Sequence, residues 1–474
     1  MKRITIIGGG ISGLSAAFTI EDKRRSGTPV QYVLFESSPR LGGVLVTDHV
    51  DGCLVEAGPD SFLTEKPWAA DLCGKIGLGD QLIGSNDSER KTYIVAKGKL
   101  VVMPDGLMFM VPTKIMPTVF SPLFSWRTKL RMAAEWFHPP HKASEDETVA
   151  EMVRRHYGPE MVELLADPLL SGVYGGEASG LSVRAVLPRF ADMESKHGSL
   201  GRAMLQSRKQ ARKKMGAAAS LPARPLFSSL KDGMQQMVDA LVARLDAKAL
   251  KRSAVVQSVI RQDNGWTVCA GYQTDQFDAV IIATPAHSAA DLLESTDENL
   301  ARDLSEIKYS SSVTVTLGYD QKVRRALPPG FGFLVPRSEG HRMLAATFVH
   351  NKFPHRAPEN RALVRCFLGG ARDEPILEMS EKEILEIVRD ELRQIISLNA
   401  EPLFARVYKW KSAMAQYSVG HLERLQRIEA LRQKLPGLAL AGNGYNGIGV
   451  PDCVRSGTEA AGKVLAEMGM WSSA

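Results

Sequence analysis

A glycine-rich turn near the start of the chain has the spacing that a nucleotide diphosphate requires. The β-branched run at residues 4–7 predicts a buried strand, three spaced glycines follow at once, and the next residues have helical spacing. Such glycines allow a tight turn, close approach of the backbone to a pyrophosphate and close packing of helix on strand. The helix would direct its free amide groups at the diphosphate. The predicted contacts are Gly8, Gly9, Gly10, Ile11, Ser12 and Gly13.

An acid and an arginine follow at distances that extend the same site. Glu36 lies 23 residues after Gly13, at the end of a second predicted strand. A carboxylate there suits a ribose 2′-hydroxyl and disfavours the extra phosphate of NADP, and a solvated glutamate is the alternative. Arg40, Gly42 and Gly43 complete the pattern Glu-x-x-x-Arg-x-Gly-Gly. A guanidinium and flexible backbone would therefore reach the diphosphate from its other side.

Together, the two motifs resemble the FAD-binding signature of the glutathione-reductase-like and amine-oxidase-like flavoproteins. Residues 438–468 resemble the segment that runs beneath the isoalloxazine in amine-oxidase-like proteins, and residues 254–259 resemble the strand that meets the adenine. The resemblance implies a non-covalent FAD in a discontinuous domain of residues 1–58, 223–285 and 434–474. No second glycine fingerprint occurs in the sequence, so we expect oxygen or another acceptor as oxidant and not NAD(P)H.

Further segments resemble the oxygen-dependent protoporphyrinogen and coproporphyrinogen oxidase family, in that family's order. They are residues 56–62, 168–176, 181–182, 416–421 and 447–453. The resemblance covers essentially the whole chain. It implies FAD-dependent oxidation of a porphyrinogen to the porphyrin in haem biosynthesis, with molecular oxygen as acceptor. Six electrons leave the macrocycle, so a two-electron flavin must turn over three times. Because aromatisation drives the reaction, we assign no catalytic acid or base, and flavin N5 is the expected hydride acceptor.

The same resemblance implies candidate contacts residue by residue. For the porphyrinogen, Gly172 would lie against the macrocycle, Phe353 would stack on it, Leu334 would form an apolar wall and Lys66 would meet a propionate. Leu334 and Phe353 are equally consistent with ordinary core, and Lys66 with a solvated lysine. The implied FAD contacts outside the first turn are Glu36, Arg40, Gly42, Gly43, Val44, Gly58, Pro59, Asp60, Ser61, Val256, Trp410 (alternatively a core aromatic), Ile448, Gly449 and Val450.

One departure from the family pattern bears on the substrate. Thr92 stands where plant and animal members have an arginine for a propionate, as expected of the bacterial branch. That branch includes enzymes that act on coproporphyrinogen III, which has four propionates where protoporphyrinogen IX has two. Both porphyrinogens therefore stay open as substrates.

The expected fold class is α/β, with a Rossmann-like FAD-binding domain, a mixed-sheet substrate domain and a helical lid or membrane-facing domain. The substrate domain is predicted at residues 59–95 and 286–433, and the helical domain with a basic linker at residues 96–222. Residues 103–126 are apolar and interrupted by prolines. This pattern fits either a lid packed on its own core or a peripheral, monotopic membrane contact.

Charge is concentrated in one part of the 474-residue chain. Its 59 basic and 53 acidic side chains give a net charge of +6, yet the stretch between Glu194 and Asp232 contains basic residues and no acid. We interpret residues 207–214 as an exposed, mobile linker, and attraction to anionic lipid or to propionates is the alternative. Because aromatic residues are not interleaved with this basic run, we expect no nucleic-acid binding.

Composition narrows the class and the compartment. Five cysteines without a Cys-x-x-Cys pair argue against a disulfide framework or zinc cluster and favour a reducing cytosol. We expect no metal site, since His138 and His141 have no acid or cysteine beside them in ligand spacing. No apolar run approaches the ~18 residues that span a bilayer. The glycine-rich start does not fit a signal peptide. The expected location is cytoplasmic, with or without peripheral contact on the inner face of the membrane.

Two rival functions stay open. An amine oxidase or a carotenoid desaturase of the same superfamily is the enzymatic rival. A non-catalytic FAD-binding or porphyrin-binding protein is the rival from another class, because it needs the phosphate glycines but no oxygen-accessible pocket. For an oxidase, ferrochelatase or a neighbouring haem-pathway enzyme is the expected protein partner.

Overall fold

The computed structural model describes residues 1–108, 110–141, 145–215 and 225–471. The chain divides into two compact units, each assembled from separate stretches of sequence. The first unit comprises Met1–Ser85, Pro225–Lys308 and Glu423–Ala474, and the second comprises Asn86–Arg224 and Tyr309–Leu422.

A five-stranded parallel sheet forms the centre of the first unit. Ile6 lies opposite Leu34 on one neighbouring strand and Ile281 on the other, and all three side chains are fully buried. This burial is why the strands read as near-continuous aliphatic runs, since helices cover both faces of a parallel sheet. The strand order is Leu250–Lys251, Val30–Phe35, Lys2–Ile7, Ala279–Ile282 and Leu438–Leu440.

Smaller sheets and seven helices complete the described part of the first unit. The antiparallel strands are Val256–Gln262, Gly265–Ala270 and Gln273–Phe277; Phe62–Leu63, Phe227–Leu230 and Leu82–Gly84; and the hairpin Thr47–Val50 with Cys53–Glu56. The helices are Ile11–Arg25, Trp68–Lys75, Gln235–Val242, Ala286–Leu293, Glu298–Ser305, His421–Arg432, which begins at the boundary between the units, and Val450–Glu467.

A seven-stranded mixed sheet forms one part of the second unit. The helix Glu381–Ile396 packs on it through Ile384, Val388 and Leu392, which share a buried cluster with Val315. This helix begins with a capping box, in which Ser380 and Glu383 satisfy each other's backbone amides. The strand order is Phe404–Ala415, Tyr309–Asp320, Arg361–Gly369, Ala345–Phe348, Gly332–Leu334, Thr92–Ala96 and Lys99–Val102.

Most of the remaining second unit is helical. A short ribbon pairs Leu107–Met108 with Val111–Pro112. The helices besides Glu381–Ile396 are Ile115–Phe120, Trp126–Glu135, Val149–Tyr157, Pro159–Met161, which continues through a π turn at Val162–Ala166 into Asp167–Tyr174, and then Val183–Val186, Pro188–His197, Leu200–Met215, Gln321–Ala326 and Val349–Lys352.

This division differs from the three domains expected from the sequence. Residues 59–85 belong to the first unit, because the strands Phe62–Leu63 and Leu82–Gly84 flank the strand Phe227–Leu230. The helical region and the mixed sheet form one unit, because backbone groups join them directly. The Ser182 amide donates to the Tyr417 carbonyl over 2.8 Å, and the Gln416 side chain donates to the Tyr174 carbonyl over 2.6 Å.

The prediction of a mobile linker at residues 207–214 is wrong. The structure continues the helix Leu200–Met215 through this basic run. Its sequence has no glycine or proline between Arg202 and Met215 and is rich in alanine, leucine, methionine, glutamine, lysine and arginine. These residues have high helix propensity, so like charge alone does not break the helix. Residues 216–224, which follow this helix in the sequence, lie outside the described residues.

A buried ionic cluster joins helices of the second unit. His156 Nδ1 lies 3.2 Å from Glu135 Oε1, and His156 Nε2 lies 2.9 Å from Glu194 Oε1. Arg155 pairs with Glu194 at 2.7 Å and with Glu147 at 2.6 Å. Burial lowers the pKa of His156, but the hydrogen bonds and charges of the two glutamates outweigh burial, so the pKa is raised. Burial raises the pKa values of Glu135 and Glu194, yet the hydrogen bonds they accept lower both.

The raised pKa of His156 predicts a pH-dependent contribution to stability. Its charge stabilises the fold fully below the unfolded-state pKa of about 6.5, and this contribution is lost as the pH rises through the raised folded-state value. We expect His156→Gln to lower the free energy of unfolding by about 3 kcal/mol near pH 6 and by less near pH 9. Urea denaturation at both pH values measures the difference, with the exposed His141→Gln as control. Equal losses at the two pH values would contradict this role.

Candidate functional site

Backbone packing in the first unit leaves no room for side chains at two of the predicted glycines. Gly8 has a φ of +107°, and a Cβ atom there would lie 2.7 Å from the Ala283 carbonyl oxygen. A Cβ atom on Gly13 would overlap the Gly8 carbonyl oxygen. The helix Ile11–Arg25 therefore packs directly on the turn. Gly10 differs, because no described residue lies within 4 Å of its Cβ position.

The open space beside Gly10 has the chemistry of an anion site. The helix Ile11–Arg25 begins there without a side-chain cap and without an acid in its first turn. Its first amide groups and the positive end of its dipole favour a negative group at this point. A Cβ atom on Gly10 would occupy the space that a diphosphate needs. The residues present therefore fit the diphosphate of a dinucleotide such as FAD.

Glu36 is fixed beside this turn by backbone amides. Its Oε2 accepts from the Gly9 amide over 2.6 Å, and its Oε1 accepts from the Ser38 amide over 2.8 Å. The Ala254 amide donates to the Glu36 carbonyl over 2.9 Å, which brings the start of the strand Val256–Gln262 close to the same place. The structure thus brings together the residues expected to meet the ribose and the adenine.

Arg40 is directed into its own loop. Its guanidinium donates to the carbonyl oxygens of Leu41, Gly43 and Leu45, at 2.8 Å for Leu41 and 3.1 Å for Leu45. Burial lowers the pKa of Arg40, and the charge of Glu36 opposes that effect. In this arrangement Arg40 shapes the loop that follows it, and the loop backbone is the part that lies against the glycine turn.

Two backbone contacts seat that loop on the glycine turn. The Gly42 amide donates to the Gly9 carbonyl over 2.8 Å, and Gly42 has a φ of +105° that favours glycine. A Cβ atom on Gly43 would lie 3.3 Å from the Gly10 Cα. The loop then continues to Val44. A Cβ atom on Gly58 would overlap the carbonyl oxygen of Val44. Val44 is therefore a neighbour of Gly58, at the start of the segment of Gly58, Pro59, Asp60 and Ser61, and FAD contact by these residues stays a prediction.

The C-terminal turn is held by a buried carboxylate. Asp452 Oδ2 accepts from the Gly449 amide over 3.2 Å and from Lys66 Nζ over 2.6 Å. The Asp452 side chain is 4% exposed and that of Lys66 is 40% exposed. Lys66 is thus paired within the first unit, which differs from a solvated lysine and gives it a partner other than a propionate. The pair stabilises the turn that carries Ile448, Gly449 and Val450.

The N-terminal and C-terminal helices of the first unit meet through another glycine. A Cβ atom on Gly457 would overlap the Ser12 carbonyl oxygen. The helix Val450–Glu467 therefore lies in backbone contact with the helix Ile11–Arg25, close to the beginning of the latter. This contact brings the turn at residues 447–449 and the glycine turn at residues 8–13 to the same side of the first unit.

The remaining candidates lie in the second unit. Trp410 is half-buried on the strand Phe404–Ala415, opposite Ser312. Gly172 is exposed, and no described residue lies within 4 Å of its Cβ position. Leu334 is half-buried on the strand Gly332–Leu334. Phe353 is 0% exposed, with Lys352 Nζ 5.3 Å from its ring centroid, so its burial favours the core alternative.

Asp452 and Gly457 are functional candidates that the sequence reasoning missed. Asp452 lies three residues after Gly449, which directly precedes a helix with a proline in its first turn. This spacing is typical of an N-terminal capping contact and could have identified Asp452. Gly457 had no such signal. Its role depends on a contact with Ser12, which lies at the other end of the chain.

The glycine turn supplies a matched pair of substitutions. Gly10→Ala creates no clash within the described residues and keeps an ordinary φ of −70°, so we expect an apoprotein of unchanged melting temperature. FAD affinity should fall at least about tenfold, because the new methyl group occupies the diphosphate position. Gly13→Ala should lose both stability and FAD. Fluorescence titration of FAD and thermal melting of the apoproteins measure the two effects. Wild-type FAD affinity in Gly10→Ala would contradict this placement.

Comparison with known proteins agrees with this geometry. The flavin containing amine oxidoreductase family matches residues 11–465. A coproporphyrinogen III oxidase of Bacillus subtilis is 34% identical, with 98% of each chain covered. A chloroplastic protoporphyrinogen oxidase of Nicotiana tabacum is 30% identical over 97% of this chain and 84% of the relative. A crystal structure from Exiguobacterium sp. 255-15, named provisionally as a protoporphyrinogen oxidase, superposes with a TM-score of 0.85 at 28% identity, covering 99% of each chain.

These matches confirm the predicted fold class, the family resemblance and FAD as the cofactor. They also confirm that the chain is an oxidoreductase. The chain belongs to the flavin containing amine oxidoreductase family, in its porphyrinogen oxidase branch.

Proposed function

We propose that this enzyme oxidises coproporphyrinogen III to coproporphyrin III in haem biosynthesis, with molecular oxygen as acceptor. The observation that carries the proposal is the full-length match to a bacterial coproporphyrinogen III oxidase. Thr92, in place of the arginine of plant and animal members, fits the same branch. Coproporphyrinogen III has four propionates, so it does not rely on a single cation for recognition.

The reaction balances over three rounds. In each round a hydride and a proton leave the porphyrinogen, and one oxygen molecule is reduced to hydrogen peroxide. Bound FAD supplies the two-electron acceptor for the hydride. The chain's contribution is binding and orientation: the glycine turn would hold the diphosphate and Glu36 would meet the ribose. The Lys66–Asp452 pair fixes the turn at 447–449. Aromatisation of the macrocycle removes the need for a strong base.

The substrate choice is tested with the purified enzyme under air. Coproporphyrinogen III, protoporphyrinogen IX and a primary amine are supplied separately, and porphyrin fluorescence and hydrogen peroxide are followed. We expect kcat/KM for coproporphyrinogen III to exceed that for protoporphyrinogen IX by at least about tenfold. The reason is that the additional propionates of coproporphyrinogen III form charge-assisted hydrogen bonds that protoporphyrinogen IX cannot form. Turnover of the amine alone would overturn the proposal in favour of an amine oxidase. FAD binding without any turnover would favour a carrier.

We propose that the macrocycle of the substrate lies against Gly172. Its Cβ position is open and the neighbouring Val173 is 53% exposed, so this part of the helix Asp167–Tyr174 presents accessible apolar surface. We expect Gly172→Leu to raise KM at least about tenfold, because a branched side chain prevents close approach of a flat ring. FAD content should not change. Gly180→Leu, at another exposed glycine of the same unit, is the control. An unchanged KM in Gly172→Leu would remove this residue from the substrate site.

A peripheral membrane contact belongs to the same proposal. Among the described helices, none is long and apolar enough to cross a bilayer. Exposed apolar side chains are nevertheless concentrated in one segment of the second unit. They are Met116 (62% exposed), Phe120 (76%), Trp126 (67%), Leu130 (58%) and Phe137 (81%). Lysines and arginines adjoin them in sequence, which is typical of segments that lie in a membrane surface.

Delivery of the porphyrin to ferrochelatase, the expected partner, would follow oxidation.

Vesicle co-sedimentation tests the membrane contact. We expect Phe120→Ser with Trp126→Ser to reduce binding to vesicles at least about tenfold, because each removes a large apolar side chain from the lipid-facing set. Leu403→Ser, at an exposed leucine elsewhere in the second unit, should bind like the wild type. Equal binding by all three proteins would contradict the assignment of this surface.

A further inference from the structure

A cavity in the helical part of the second unit is lined mainly by basic side chains. It has a volume of about 400 Å³, and Arg131, Arg154, Arg155, His138 and His156 contribute to its lining together with Glu135. This volume lies within the range of roughly 300–1,000 Å³ that small-ligand sites occupy. The helices Trp126–Glu135 and Val149–Tyr157 supply all but one of these side chains. His138 follows the first helix, and its ring stacks on His156 at 4.8 Å.

The acids of the neighbourhood already accept hydrogen bonds. Glu135 accepts from His156, from the Ser199 hydroxyl and from the Leu200 amide. Arg155 is engaged by Glu147 and Glu194, as described above. Each glutamate of the cluster is thus hydrogen-bonded, and its three carboxylates outnumber Arg155 and His156 by one negative charge. Arg131 and Arg154 add two positive charges beside it.

Two guanidinium groups remain available. Arg131 and Arg154 are exposed, and neither forms a side-chain hydrogen bond or an ion pair with any residue that the structure describes. Arg154 lies in the field of Glu151, whose carboxylate is itself held by Thr148. Arg131 lies against Gly158, where a Cβ atom would overlap its Nη1. The absence of a side chain at Gly158 thus leaves room for this guanidinium.

Exposed apolar residues directly precede two of the lining basic residues in the same segment. Leu130 precedes Arg131, and Phe137 precedes His138. Leu130 is 58% exposed and Phe137 is 81% exposed, so both present apolar surface to solvent beside the cavity. A ligand that satisfies both features has an anionic head and an apolar tail. A free inorganic anion would leave the apolar side chains in water.

We propose that this cavity binds the phosphate of an anionic phospholipid headgroup, with Arg131 and Arg154 as its ligands. The inference rests on the proposed membrane contact and names the lipid group that this contact recognises. Guanidinium groups suit phosphate because their planar donors form paired hydrogen bonds to its oxygens. The acyl chains would lie against Leu130 and Phe137. None of the residues that line the cavity is among those expected to bind the flavin.

Vesicles of phosphatidylglycerol and of phosphatidylcholine, together with inorganic phosphate, test the assignment. We expect the full-length holoenzyme to prefer phosphatidylglycerol vesicles, and Arg131→Gln and Arg154→Gln each to weaken that binding at least about tenfold. Arg127→Gln removes the same charge from the same helix but does not line the cavity, so it should weaken binding by less than about threefold. Arg131→Lys should restore part of the affinity. Circular dichroism melting checks that the variants remain folded.

The outcomes separate the two proposals. If the wild type binds vesicles and all three glutamine variants weaken binding equally, general charge attraction explains the effect and the cavity is not a headgroup site. If the wild type binds no vesicle, the membrane contact itself fails. Calorimetric titration with inorganic phosphate then decides what the cavity binds. Phosphate binding that depends on Arg131 and Arg154 without any vesicle binding would overturn the lipid assignment in favour of a soluble phosphate.

Discussion

The first unit depends on backbone-to-backbone contacts that only glycine permits. Gly13 packs on the carbonyl of Gly8, Gly457 packs on the carbonyl of Ser12, and Gly58 packs on the carbonyl of Val44. Each contact brings two main-chain segments closer than any side chain would allow. The result is a cradle made of amide groups, in which the start of a helix, a loop and a second helix converge. Gly10 is the position in this set where the space stays open, and the cradle is shaped around it.

Short sequence patterns predicted the local backbone elements of this cradle, because each element depends on residues that are close together in the chain. The distances among Gly8, Gly10 and Gly13 define a strand, a turn and a helix without reference to the rest of the chain. Glu36 and the Gly42–Gly43 pair follow the same logic, and the structure brings them to the same turn. The helix Leu200–Met215 was not predicted through residues 207–214, because a run of like charge is also typical of linkers although these residues have high helix propensity. The ion pair of Lys66 was not predicted, because its partner Asp452 is 386 residues away in the sequence.

The substrate candidates were harder to predict for a related reason. A stacking phenylalanine and a core phenylalanine have the same sequence signature, and only burial distinguishes them. Phe353 is fully enclosed, whereas Gly172 is exposed with free space above it, so their prospects differ although the resemblance treated them alike. Both units combine an apolar core with ion pairs that include buried groups. The first unit buries aliphatic side chains around its parallel sheet and contains the Lys66–Asp452 pair, and the second contains the ionic cluster around His156.

The order of strands in the first unit has a consequence for how the chain is made. The strand Lys2–Ile7 is translated long before Ala279–Ile282, with which it pairs, and that strand in turn pairs with Leu438–Leu440. Contacts so distant in sequence form slowly, since a long loop must close before they stabilise anything. The nascent glycine turn therefore leaves the ribosome long before the helix that covers it, and the nucleotide cradle is completed only by the last tenth or so of the chain. A flavin that binds in this cradle is consequently captured late in biosynthesis, and a chain that stops short of the helix Val450–Glu467 lacks one wall of the cradle.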